Sequence, residues 1–203
     1  ATADDIARAP LLWDYAKARG YRTAYLASQH LGYGNLGLFV RSTSVDLMRE
    51  ARDRGPQWNA ATGSPDEITT REALDFLRRP GPAFVVVHFS NTHDPYRELP
   101  AYKKFPTKVS FDPLDRRNAY RNSLLGHDAI VGDFMRELRA DPRTRSAIVV
   151  YTSDHGEAWA EHGAIGHTSD MFAEQIDVPL WIDAPEGSLD AARLERIRHG
   201  ASI

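Results

Sequence analysis

Short apolar runs alternate along the chain with longer segments in which apolar residues recur every three or four positions. Continuous apolar runs of this length are typical of strands buried on both faces of a sheet. The runs are AFVVVHFS (83–90), SAIVVYTS (146–153) and VPLWI (178–182), and YRTAYLAS (21–28) supplies strand-forming residues for a further strand. Helical spacing is found at 10–19, 64–79 and 119–139. The alternation predicts an α/β fold with a mainly parallel sheet sandwiched by helices.

Length and composition narrow the class of protein further. A chain of 203 residues is long enough for one substantial core, so we predict a single domain over 1–203. The net charge of -3 gives no basic surface of the kind that binds nucleic acid. No apolar stretch reaches the roughly 20 residues of a spanning helix, so we predict no membrane span in this chain. The absence of cysteine excludes disulfides, thiolate metal ligands and a cysteine nucleophile.

Polar, histidine-bearing segments follow two of the predicted strands. NTHDPY (91–96) comes after the strand at 83–90, and DHGEAWAEHGAIGH (154–167) comes after the strand at 146–153. Open parallel sheets bind ligands beyond the carboxyl ends of their strands. We therefore expect His93, Asp154 and His155 to face one another at that edge of the sheet.

Asp154 and His155 have the chemistry of metal ligands. A carboxylate oxygen beside an imidazole nitrogen suits Zn²⁺ or Mn²⁺ and is tolerable for Ca²⁺, and Gly156 would let the backbone turn after the pair. The alternative is that Asp154 caps a helix and His155 is a polar loop residue. His167 could hydrogen-bond an anionic substrate oxygen or protonate a leaving group, whereas a binding role and a solvated position are equally open for His162.

Four stretches resemble the sulfatase branch of the alkaline phosphatase superfamily. TSDHGEAWAEHGAIGH, followed by VPLWI, is similar to the metal-binding strand end of that family. VVVHFSNTHDPY resembles the strand that leads to its substrate-contacting histidine. LLWDYAKARGYRTAYLAS and YRNSLLGHDAIVGDFMREL resemble its helix–strand unit after the nucleophile and the helix between the two strands. The stretches cover most of 10–182 in the order of the family.

The resemblance implies roles for four residues. Asp154 and His155 match metal ligands, for Ca²⁺, Mn²⁺ or Zn²⁺, while His167 and His93 match the catalytic histidines near the transferred group. The implied reaction attacks a sulfate or phosphate ester and passes through a covalent enzyme intermediate. The nucleophile of the family lies upstream of the first helix seen here. The hydroxyls of RSTS (41–44) lie beyond the helix–strand unit and do not match its position.

The chain is therefore expected to be a partial catalytic domain, with an alkaline-phosphatase-like fold that is incomplete at both ends and inactive alone. A metal-dependent sulfatase is the first interpretation. The second is a transferase of the same superfamily that moves phosphoethanolamine or phosphoglycerol onto an envelope lipid or glycan. The third is a non-catalytic, sulfatase-like module that binds an anionic glycan or a partner protein. The resemblance leans towards the periplasm or cell surface, although the sequence contains no targeting segment.

Overall fold

A computed structural model of the chain describes residues 10–32, 36–41, 45–108, 112–167 and 170–190, together with Ala192 and Glu195. The hydroxyl-bearing residues 42–44 considered above lie outside these ranges. The chain divides into two compact units, Ala1–Glu137 and Leu138–Ile203. Each unit is described by itself.

The described elements follow the alternation that the sequence predicts. The strands are β1 (Arg22–Ala27), β2 (Leu47–Arg49), β3 (Ala83–His88), β4 (Val149–Thr152), β5 (Ala158–Trp159), β6 (Ile165–Gly166) and β7 (Leu180–Asp183). The α-helices are α1 (Leu12–Ala18), α2 (Leu36–Arg41), α3 (Asp66–Leu77), α4 (Pro113–Ala140) and α5 (Ala173–Ile176). Two 3₁₀ helices span Ala51–Gln57 and Pro100–Tyr102. None of the described helices combines the length and apolarity needed to cross a bilayer.

The first unit is built on a parallel sheet with β1 at its centre. The strand order is β2–β1–β3, and Ala24 of β1 is paired with Leu47 on one side and Val85 on the other. Parallel strands need crossover connections, which α2 and α3 occupy in the chain. The sheet confirms the predicted α/β class with parallel strands.

Helices pack against both faces of this sheet. On one face, Tyr25 and Ala27 of β1 join Trp13 of α1 in a buried cluster. On the other face, Ala24 and Leu26 of the same strand pack with buried residues of α3. Successive side chains of a strand point to opposite faces, so the apolar run of β1 supplies both halves of the core.

The second unit contains β4 and β7 as an antiparallel pair. Tyr151 of β4 lies opposite Trp181 of β7, and their rings stack with centroids 5.0 Å apart. The side chain of Arg139, near the end of α4, binds the Asp183 carboxylate at 2.7 Å and so ties the helix to β7. The strands predicted at 146–153 and 178–182 are thus confirmed as β4 and β7.

Candidate functional site

The Asp-His pair lies directly beyond the end of β4. Hydrogen bonds fold the backbone of this turn: the Ser153 hydroxyl donates to the His155 carbonyl at 2.7 Å, and the His155 N–H donates to Asp154 Oδ1 at 3.1 Å. The Asp154 side chain is 79% exposed. The Asp154 side chain is therefore positioned by hydrogen bonds within its own turn and does not cap a helix. Its carboxylate is accessible to a ligand.

Asp154 and His155 fit a divalent cation. The Nδ1–H of His155 donates to the Gly156 carbonyl at 2.8 Å, because a carbonyl can only accept. A backbone carbonyl commonly fixes the ring of a metal-ligating histidine in this way. His155 Nε2 lies 3.8 Å from Asp154 Oδ2, and two metal bonds of about 2.1 Å can span up to about 4.2 Å. One ion could therefore contact both atoms.

The described residues contain no group of three or more His, Cys, Asp or Glu placed to hold a metal ion. The assignment of Asp154 and His155 as metal ligands therefore stays a prediction.

A short hairpin brings His167 beside Glu157. In the β5–β6 pair, Ala158 lies opposite Gly166. Continuing that register by one residue places Glu157 opposite His167, and His167 Nδ1 lies 3.0 Å from Glu157 Oε1. The Glu157 side chain is only 6% exposed. A buried carboxylate thus orients the His167 ring.

The same hairpin places His167 against His155. The two imidazole rings stack with centroids 3.9 Å apart and an interplanar angle of 26°. The structure therefore brings together three of the four predicted site residues, Asp154, His155 and His167, although they span fourteen positions of the sequence.

Gly156 is required by a close approach between two backbone segments. A Cβ at this position would lie 2.2 Å from the carbonyl oxygen of Glu174. The Gly156 N–H also donates to the Gln175 carbonyl at 2.7 Å. The φ angle of Gly156 is not among the positive values in the chain, so the glycine is needed here for space and not for a left-handed turn.

His162 has a different environment from its neighbours. Its ring stacks on Phe172 at 3.8 Å, and its Nδ1 lies 2.7 Å from Glu174 Oε1. The hydrogen bond with His162 lowers the pKa of the Glu174 carboxyl below its ordinary value. These contacts give His162 a packing role near α5, which neither of the two alternatives left open above describes.

His93 belongs to the first unit, in the turn that follows β3. Its Nδ1–H donates to the Asp94 carbonyl at 2.7 Å, and its backbone N–H donates to the Ser90 carbonyl at 3.0 Å. The Asp94 carboxylate accepts from Arg116 at 2.7 Å. The expectation that His93 faces Asp154 and His155 stays a prediction, because those residues belong to the other unit.

A buried polar cluster holds this turn in place. The Asp66 side chain is fully buried, and its oxygens accept from the backbone N–H groups of Ser90 and Asn91 at 3.3 and 3.4 Å. Asn91 reciprocates, since its Oδ1 accepts from the Asp66 N–H at 2.9 Å. The His127 ring lies 3.5 Å from the same carboxylate. Sequence reasoning assigned no site role to Asp66, Asn91 or Glu157, because only the tertiary contacts single them out.

Solved structures define the class of fold. An alkaline phosphatase superfamily protein from Vibrio parahaemolyticus is similar over 89% of this chain and 44% of its own, with a TM-score of 0.63 and 18% identity. The lipoteichoic acid synthase LtaP from Listeria monocytogenes is similar over 86% of this chain and 46% of its own, with a TM-score of 0.66 and 16% identity. The chain therefore has an alkaline-phosphatase-like α/β fold.

The sequence profile of the Sulfatase family matches residues 5–200, and the chain belongs to that family. Phosphoglycerol transferase I from Xanthomonas campestris pv. campestris (strain B100) is 27% identical over 154 residues, which are 71% of this chain and 21% of that protein. The chain thus spans about a fifth of the length of the curated relatives it matches. Members of the superfamily are hydrolases or transferases that act on sulfate or phosphate esters, and they generally bind a divalent metal.

Proposed function

We propose that the protein containing this chain is a metal-dependent enzyme that transfers a phosphoester group, of the phosphoglycerol type, through a covalent enzyme intermediate. The observation that carries this proposal is the similarity to phosphoglycerol transferase I over 154 residues, a stretch that accounts for 71% of the chain. An acceptor hydroxyl on an envelope lipid or glycan would resolve the intermediate. We place the reaction in the periplasm or at the cell surface, following the resemblance described above.

Two residues of the second unit would hold the divalent ion. Asp154 supplies a carboxylate oxygen and His155 supplies Nε2, because its Nδ1–H is held by the Gly156 carbonyl. When bound, the ion supplies Lewis acidity that stabilises negative charge on an ester oxygen and favours the ionised nucleophile. The nucleophile is assigned to no residue of this chain.

His167 is proposed to donate a hydrogen bond from Nε2 to an oxygen of the transferred group. A histidine that donates through both ring nitrogens carries a positive charge, and the buried Glu157 carboxylate at 3.0 Å balances that charge. Preorganised donors of this kind stabilise the charge that develops during group transfer. His93, whose ring is fixed through Nδ1 by the Asp94 carbonyl, is proposed as the second such donor.

Hydrolysis of a sulfate ester is the second candidate function. The name of the matching family, Sulfatase, favours it, and both reactions would use the same metal ligands and histidine donors, with a nucleophile outside this chain that differs between them. The two functions differ in the ester group that is recognised and in whether water or an alcohol resolves the intermediate.

The metal site is tested first, by calorimetry on the full-length protein with Mn²⁺, Zn²⁺ and Ca²⁺. Asp154→Ala should weaken binding at least tenfold. Asp177→Ala is the matched control, since Asp177 is an exposed carboxylate of the same unit. Equal binding by wild type and Asp154→Ala would remove Asp154 from the site.

The reaction is tested by incubating the metal-loaded protein with a phosphoglycerol-bearing phospholipid or with an aryl sulfate. Release of diacylglycerol with labelling of an acceptor glycan supports the transferase, whereas release of inorganic sulfate supports the sulfatase. His167→Gln and Glu157→Gln should each lower kcat by about 10²-fold or more, while His162→Gln should change it little. Metal binding without turnover of either ester would favour the non-catalytic module.

A further inference from the structure

A cluster of two basic side chains and an indole lies beyond the ends of β1 and β2. His30 and Arg52 each follow their strand by three residues. Arg52 Nη2 lies 3.5 Å from His30 Nδ1, and the Arg52 guanidinium carbon lies 5.9 Å from the centroid of the Trp58 ring. The His30 and Trp58 rings meet edge to face at 6.2 Å. These three residues are called the basic-aromatic cluster below.

The backbone beneath the cluster is fixed by hydrogen bonds between its two loops. The buried carboxylate of Glu50, at the end of β2, accepts the backbone N–H of Leu31. The Ala51 N–H donates to the Gln29 carbonyl at 3.2 Å. His30, on the loop after β1, and Arg52, in the 3₁₀ helix Ala51–Gln57, are therefore carried on backbone segments that are joined to each other.

Arg52 differs in its surroundings from the other arginines near the strand ends. Within the described part of the chain, no carboxylate lies within salt-bridge distance of Arg52, which is exposed. Other arginines near the strand ends are paired: Arg54 with Glu72, Arg97 with Glu67, and Arg116 with Asp94. The Glu50 carboxylate beside the cluster is already occupied by a backbone donor.

The position of the cluster relates it to the proposed chemistry. The strands β2, β1 and β3 are parallel neighbours, so their carboxyl ends lie at one edge of the same sheet. That edge also carries His93, in the turn after β3. Ligands of open α/β sheets bind at this edge, and the described side chains offer Arg52 and His30 as donors for an anion there.

We infer that the basic-aromatic cluster is an accessory site for a tetrahedral oxyanion, a sulfate or phosphate ester, on a part of the substrate that does not react. Arg52 donates to the anion from its guanidinium. His30, whose Nδ1 accepts from Arg52, donates from Nε2. Trp58 supplies an apolar surface for the carbon skeleton next to the anion. The substrate would then carry at least two anionic groups, as a polyanionic polymer does. The assignment of this anion to the substrate rests on the proposed function.

The test observes Trp58 directly in the full-length protein labelled with 5-fluorotryptophan. Trp58→Phe assigns the ¹⁹F resonance of this residue, and inorganic phosphate and inorganic sulfate are titrated separately at constant ionic strength. We expect a saturable shift of the Trp58 resonance. Arg52→Gln should weaken the apparent affinity at least tenfold, whereas Arg79→Gln, an exposed arginine stacked on Phe76, should leave it unchanged.

Titrations with glycerol phosphate and with a sulfated disaccharide then show whether the site prefers a phosphate ester or a sulfate ester. Glycerol and the unsulfated disaccharide serve as uncharged controls. The inference is overturned if neither phosphate nor sulfate shifts the Trp58 resonance. It is also overturned if Arg52→Gln leaves the apparent affinity unchanged. The variant His167→Gln should retain the Trp58 response, because the proposed anion site is built from His30, Arg52 and Trp58. Retention of this response in a protein that turns over neither ester would reject the proposed function while leaving the anion site standing.

Discussion

Replacing Gly156 by alanine tests whether the Asp154–His155 turn is held by direct backbone packing against α5. The new Cβ would lie 2.2 Å from the Glu174 carbonyl oxygen and 3.1 Å from its carbonyl carbon. Both are backbone atoms, which cannot rotate away as the end of a side chain can. An ordinary contact of about 3.5 Å requires the two segments to separate by more than about 1 Å.

The energetic cost follows from two contributions. Overpacking of a close contact costs about 1–3 kcal/mol. The separation also weakens the hydrogen bond from the Gly156 N–H to the Gln175 carbonyl, now 2.7 Å long, which contributes about 0.5–1.5 kcal/mol. We therefore expect Gly156→Ala to lower the free energy of unfolding by about 2–4 kcal/mol. Metal affinity should fall at least tenfold, because the turn that carries both ligands moves.

Gly132→Ala provides a matched control with the opposite expected sign. Gly132 lies inside α4, and a Cβ there would meet only the flexible end of Arg136, at 3.4 Å. Alanine in a helix interior should raise stability by about 0.5–1 kcal/mol. Urea unfolding followed by tryptophan fluorescence measures both variants, and calorimetry measures their Mn²⁺ affinity. If Gly156→Ala proves as stable as wild type and binds Mn²⁺ equally well, the packing argument is refuted.

Two further substitutions test the first unit. Asp66→Ala leaves two buried backbone N–H groups without their acceptor, so urea unfolding should show a free energy of unfolding that is lower by about 2–4 kcal/mol. The control Asp75→Ala, which removes an exposed carboxylate, should lower it by less than about 0.5 kcal/mol. The Asp46 carboxyl has a lowered pKa, chiefly through its hydrogen bond with Lys17 and then through the backbone N–H of Thr23. Because the folded pKa lies below the unfolded one, this stabilisation is present at neutral pH and is lost as pH falls through the folded pKa. Asp46→Asn should thus be less stable than wild type at pH 7, by at most about 1 kcal/mol. The difference should begin to shrink as pH falls through the ordinary value of 3.8 and should vanish below the lower folded pKa; a difference that persists at still lower pH would contradict the assignment.

The strands could be predicted from sequence because short apolar runs leave a local signature. The expected burial on both faces is observed for β1, whereas β3 is half-buried; for β4 and β7 the expectation is wrong, since Val150 and Leu180 are exposed. The run at 83–90 is apolar at nearly every position, and the structure places β3 within it. The helix at 119–139 was also predicted, but α4 begins earlier, at Pro113. Its first turn contains charged residues that give no apolar periodicity, so the pattern alone could not locate the start.

The partners of the site residues could not be predicted in the same way. Asp66 begins α3, yet its carboxylate accepts from the backbone N–H groups of Ser90 and Asn91, more than twenty positions away. No local sequence pattern encodes such a contact, since it depends on how α3 packs beside the end of β3. The parallel sheet was predictable from the alternation of apolar runs with helical segments, whereas the polar cluster that fixes the turn of His93 required the tertiary structure.

For the two histidines in the segment after β4, the spacing along the sequence does not indicate which neighbours each one has. His162 and His167 lie in the same glycine-rich segment, and residue type cannot separate them. The β5–β6 register separates them: it places His167 opposite Glu157 and against His155, whereas His162 falls in the hairpin loop and reaches Glu174. That loop includes Ala160 and Gly163, both with positive φ, and a non-glycine residue in this conformation is not foreseen by turn preferences. The different surroundings of His162 and His167 are therefore set by a two-residue strand pairing.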